Sequence, residues 1–246
     1  MKRFLSVSCL AAALCVAAPG AMGQAAFPMF DNVSQGLLGN SNGNPILGGD
    51  ALREAARAFG NSLEGQKGAG EVSASASEAT STVIPKPEGT AGIDVLVAGY
   101  SDAQKPEMRK LFGQMIDMFD PVAKKLDVPV YDMGSAAAAL IAGSYAAYHN
   151  QTLPDAHFKP LAVQMQQVFA KDANFAKAST AEKQRMYQIM VGTGMFLTLI
   201  QLENAKKPDP QVEAQLKTAG ADFLQKFTRI NPAQITLGAG GMGMTE

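Results

Sequence analysis

The chain has 246 residues, with 21 basic and 22 acidic side chains, 47% hydrophobic and 7% aromatic content, and no tryptophan. A net charge of −1 leaves no basic field to hold nucleic acid or an anionic membrane by counterion release, and indole-lined ligand pockets are excluded. Two cysteines, Cys9 and Cys15, and two histidines, His149 and His157, restrict metal and nucleophile chemistry from the outset.

Residues 1–23 place Lys2 and Arg3 before an apolar run over 4–18, then Pro19 and the small-residue site Ala21-Met22-Gly23. This order of charge, apolar core and cleavage site predicts a secretory signal peptide and a mature chain starting at Gln24. Removing it takes two of the 21 basic residues and no acidic one, leaving 19 against 22 and a net charge of −3. It also removes both cysteines, so the mature chain is expected to be cysteine-free, with no thiol to pair or to bind metal. A lipoprotein leader needs small residues directly before its cysteine, whereas Cys15 follows Leu14. A membrane span needs about 20 apolar residues, and the run here is shorter and ends in Pro19-Gly20.

Residues 24–92 are dominated by Gly, Ser, Asn, Ala, Pro and Thr, too sparse in large apolar groups to offset the entropy of ordering. They read as a flexible segment with one short helix near 50–60, capped by Asp50 and carrying Leu52, Ala55, Ala56 and Phe59 at helical spacing. The helical domain is expected over 93–237. Its opening, Asp94-Val95-Leu96-Val97-Ala98-Gly99, fits either a short strand or a helical turn. Met108, Leu111, Phe112, Met115, Ile116 and Phe119 then follow one helical face, and Asp120-Pro121 predicts a kink or a restart.

Asp132 is placed to cap a helix over 134–148 that is small-sided almost all round, which predicts a central position in a bundle. Tyr145, Tyr148 and His149 crowd into its last turn. Phe158, Leu161, Ala162, Met165, Val168 and Phe169 mark the next amphipathic helix, and Ser179 to Glu182 offer caps for the longest one, running to about Lys206. Its apolar window, 186–202, contains Gln188, Gly192, Thr193, Gly194 and Gln201 and predicts a buried core helix rather than a span. Pro208-Asp209-Pro210 breaks it, and Val212, Leu216, Ala219, Phe223, Leu224 and Phe227 line a last helix. Residues 238–246 read as a disordered tail. The expected fold class is all-α: a single bundle of about five or six helices preceded by a low-complexity segment.

The chemistry is sparse. His149 and His157 lack carboxylates at the i+3 or i+4 spacing of a helical metal site, and no G-x-S-x-G elbow occurs. The glycine run at 238–243 has no helix after it to receive a phosphate. Asp117 with Asp120, and Asp127 with Asp132, read as solvated acids. Met108, Met115, Met118, Met165, Met186, Met190 and Met195 coincide with helical core faces, so core packing outweighs a copper site. One group stands out: Asp132, Tyr148, Gln164, Gln184, Tyr187 and Gln188 all lie on or beside apolar faces, where an unpaired polar atom is costly. A hydrogen-bond network that fixes helix register is the first reading, and a ligand or peptide groove the second.

The order Phe112 to Leu126, Asp132 with Ala136 to Tyr148, Gln164 in LAVQMQQVF, and Glu182 to Tyr187 resembles a family of uncharacterised exported proteobacterial proteins, a domain of unknown function. The likeness covers about 93–238. It implies a periplasmic, single helical domain in a Gram-negative cell and supplies no activity, cofactor or catalytic residue. The resulting expectation is a periplasmic or secreted, non-enzymatic helical protein, without cofactor or metal, that binds another protein or peptide. The alternative is a small-ligand binder or enzyme using Asp132, Tyr148, Gln164 and Gln184.

Overall fold

The computed structural model describes residues 80–245 except Gly99. The expected signal segment, the short helix near 50–60 and the rest of 1–79 lie outside the described residues. Within them the chain is all-α with a small terminal hairpin. The helices are α1 (Ala91–Leu96), α2 (Lys105–Lys125), α3 (Met133–His149), α4 (Asp155–Lys171), α5 (Ala173–Lys177), α6 (Thr180–Lys206) and α7 (Pro210–Thr228). The strands are β1 (Ile235–Gly238) and β2 (Gly241–Met244). Five long helices and two single-turn ones make up the expected bundle.

Local chemistry sets the boundaries. Asp132 accepts a hydrogen bond from the Ser135 N–H to open α3, and Asp209 accepts from Gln211 and Val212 to open α7. Ser179 and Glu182 form a reciprocal capping box at the start of α6. The ambiguous stretch after Ile93 is resolved as the helical turn α1, held by the Gly92 N–H donating to Gln188 Oε1 at 2.8 Å. Pro121 neither kinks nor restarts its helix far enough to divide it, and α2 runs unbroken past it with the proline ring exposed.

α3 is buried from Met133 to Ile141 without interruption and lies at the centre. Its small side chains let α6 and α7 come to backbone distance. A Cβ on Gly194 of α6 would sit 2.3 Å from the Ala139 carbonyl oxygen, and one on Gly143 would sit 2.3 Å from the Gly194 oxygen. A Cβ on Gly220 of α7 would meet the Ser144 carbonyl at 2.4 Å. Only residues without a Cβ allow these crossings, so the close approach of the central pair α3 and α6 is fixed by Gly143 and Gly194. The large core groups lie around that axis, with Phe112 and Phe196 rings 5.4 Å apart and Phe119 against Phe158 at 6.4 Å. Met108, Met115, Met165, Met186, Met190 and Met195 are all buried in the same core.

Two segments read as unstructured are ordered. Residues 80–90, within the stretch expected to be flexible, run along the bundle as a mainly extended segment that ends where α1 begins. The Ile84 N–H donates to the Tyr131 carbonyl at 2.8 Å, the Met133 N–H donates to the Thr82 carbonyl at 2.9 Å, and the Ile84 side chain is buried. Low apolar content hid this strap because hydrogen bonds from main chain and from side chains of the bundle, more than apolar burial, anchor it. The tail expected to be disordered over 238–246 instead supplies β2, which pairs antiparallel with β1 through Leu237 and Met242. The glycines that suggested disorder serve the two-residue turn at Ala239-Gly240, with Gly241 at φ 94°.

Candidate functional site

The six polar residues singled out in sequence fall into separate places. Asp132, Gln184 and Gln188 converge on the strap. The Asp132 carboxylate receives the Ser135 N–H and hydroxyl, Gln166 Nε2 at 3.1 Å and the Thr82 hydroxyl at 2.5 Å. Gln184 donates to the Lys86 carbonyl at 2.9 Å, and Gln188 donates to the Gly89 carbonyl at 2.9 Å while accepting from Gly92. Together they hold the strap by the Thr82 hydroxyl and by the Lys86 and Gly89 carbonyls, and α1 by its Gly92 N–H.

Gln164 does the same for the hairpin. Its Nε2 donates to the Met242 carbonyl at 3.0 Å and its Oε1 accepts the Met242 N–H at 2.7 Å, so one side chain amide stands where a neighbouring strand would pair. Tyr148 lies 16 residues along α3 from Asp132, about 24 Å away at 1.5 Å per residue. There its ring packs edge-on to His149 at 4.7 Å. Tyr187 is fully buried, its ring 6.5 Å from Phe119 and 6.2 Å from Tyr131. Its hydroxyl lies beside the Tyr131 backbone without reaching hydrogen-bond geometry, and burial raises its pKa well above the ordinary tyrosine value. The structure therefore unites three of the six on one segment and distributes the others.

Of the four acids expected to be solvated, Asp117 is exposed, Asp127 is exposed but ion-paired, and Asp120 and Asp132 accept hydrogen bonds. Tyr131 donates its hydroxyl to Asp120, which pushes the Tyr131 pKa up to about 12, and Lys159 pairs with Asp127. Tyr131 has φ 52°, a left-handed conformation that a bulky side chain adopts at a cost, immediately before the Asp132 cap. His149 is exposed at the end of α3, and His157 lies within α4. Among the described residues, no group of three His, Cys, Asp or Glu side chains is placed to hold a metal ion, and no helix is long and apolar enough to cross a membrane.

Sequence reasoning missed a cavity of about 180 Å³ between α2, α3, α4 and α6. Its walls are Phe119, Val122 and Leu126 from α2, Phe158 from α4, Leu153 and Pro154 from the preceding loop, and Met195, Thr198, Gln201 and Leu202 from α6. Its floor is Ala139, Ala142 and Ala146 of α3 with Gly194 of α6. The space exists because α3 presents only methyl groups, at i, i+3 and i+7, between the large side chains of its neighbours. Gln201 is 2% exposed, and its amide oxygen is buried with no donor from the protein. Thr198 has already used its hydroxyl hydrogen on the Gly194 carbonyl at 2.8 Å. The one sequence signal for this site was Gln201 interrupting the apolar window of α6, which was read only as an argument against a membrane span.

No curated protein and no solved structure matches the chain. The sequence matches a family of unknown function (DUF6683) over residues 1–245, so the likeness extends beyond the 93–238 expected from the helical motifs, and the chain belongs to that family.

Proposed function

We propose that the protein is exported and works as a non-enzymatic binding protein that takes a small, mainly apolar molecule between α2, α3, α4 and α6. The observation that carries the reading is the cavity of about 180 Å³ floored by alanines. Preformed, mostly apolar concavities between the helices of a bundle are a common form of ligand site. Cavities of about 150 Å³ with comparable apolar linings accept benzene-sized guests. Export rests on the charge and apolar order of residues 1–23.

A protein or peptide partner is the second reading. The observation that favours it is the strap over 80–90, where Gln184 and Gln188 grip a non-helical chain by its carbonyls. Periplasmic expression of the full chain, followed by N-terminal sequencing and organic extraction of the purified protein, tests the proposal. The expected result is a start at Gln24 and a small apolar compound released in stoichiometric amount, absent when Ala142→Leu fills the cavity. An uncleaved N-terminus would remove the export reading. An empty protein that instead co-purifies with a peptide through the strap region would favour the second.

A further inference from the structure

The buried polar groups of the cavity wall offer acceptors, and the Thr152 hydroxyl, on the exposed loop at the rim, completes the polar lining. Gln201 Oε1 is an acceptor without a donor, and Thr198 Oγ1 has spent its hydrogen on Gly194 and retains only lone pairs. Asp155, half-buried at the rim in the first turn of α4, adds a third set of acceptors. A buried acceptor left unpaired costs free energy that a bound donor recovers. The terminal torsion of a glutamine is soft, so the carbonyl can turn toward an incoming group without leaving its rotamer well.

Resting on the ligand-binding reading above, we propose that the site selects neutral molecules with an apolar body and one hydrogen-bond donor, such as an alcohol, a phenol or an amide N–H, and that Gln201 accepts that donor. Carboxylates and phosphates are disfavoured. They would be desolvated against acceptors, with no lining cation to compensate and Asp155 at the entrance. Gln201 is thus a specificity-determining residue, and the apolar walls supply the affinity that all guests share.

The test compares three ring-matched probes, toluene, benzyl alcohol and anisole, by calorimetry on the full chain, with Gln201→Leu and, as a second variant of similar volume, Gln201→Met. The expected result is that both substitutions weaken benzyl alcohol about tenfold, the worth of one recovered hydrogen bond, and leave toluene and anisole unchanged or tighter. If toluene binds and the benzyl alcohol to toluene ratio is the same in all three proteins, the donor assignment is overturned while the cavity reading stands. If anisole is the probe weakened by the substitutions, Gln201 presents its N–H and the assignment is likewise overturned. If no probe binds the wild-type chain, the cavity reading itself fails.

Discussion

At the residue scale, several buried or half-buried polar side chains in this protein bond backbone that lies outside the helices. Asp132 is the most heavily used, joining the α3 cap, α4 through Gln166 and the strap through Thr82. Asp132→Ala removes an N-cap and leaves buried donors unpaired, so a loss of about 2–4 kcal/mol is expected, read as a lower thermal midpoint. Because Asp132 does not line the cavity, toluene affinity should be unchanged in that variant, whereas a ligand role for Asp132 would abolish binding with the fold intact. Tyr131 gives a pH signature. Its folded pKa of about 12 lies above the ordinary value of 10, so its contribution is complete below about pH 10 and is lost as pH rises toward 12. Denaturant midpoints of wild type and Tyr131→Phe should therefore differ by a constant amount up to about pH 10 and converge above it. A gap that stays constant to pH 12 would show that the Asp120 bond does not persist in solution.

At the element scale, the bundle is organised by what its central helices lack. The Gly194 crossing leaves no room for a methyl group against the Ala139 carbonyl, and backbone cannot yield as a side chain tip can. Gly194→Ala should cost about 3 kcal/mol or more by overpacking, despite the gain in helix propensity, and a variant as stable as wild type would refute the close α3 to α6 packing. Most of this level was legible in sequence. The central place of α3 followed from its small residues, the start of α6 from Ser179 and Glu182, and its end from the break at Pro208-Asp209-Pro210. What stayed hidden had a common cause. The strap over 80–90 and the hairpin at 235–244 are held in part by side chain amides of Gln184, Gln188 and Gln164 bonding main chain far away in sequence, and hydrophobic periodicity carries no trace of such pairs. The six polar residues were recognised as out of place in apolar faces. Their partners, and hence their division among strap, hairpin and helix end, depend on tertiary packing alone.

At the scale of the whole molecule, the described residues form one bundle with glutamines that bond its own strap and hairpin and with a mainly apolar space left unfilled between four helices. That space is a consequence of the same alanines that bring α3 and α6 together, so stability and binding share a source. Filling it separates them. Ala142→Leu places a larger side chain on a half-buried floor position with open volume above it, and cavity filling of this kind commonly adds about 0.5–2 kcal/mol.

The most direct measurement is a toluene titration of the full chain followed by side chain methyl NMR, in wild type and in Ala142→Leu. Binding in the cavity predicts saturable shifts centred on Ala146, Leu153, Met195 and Leu202, and their disappearance in an Ala142→Leu protein that melts no lower than wild type. Shifts scattered over the surface, or a response that survives the substitution, would contradict it.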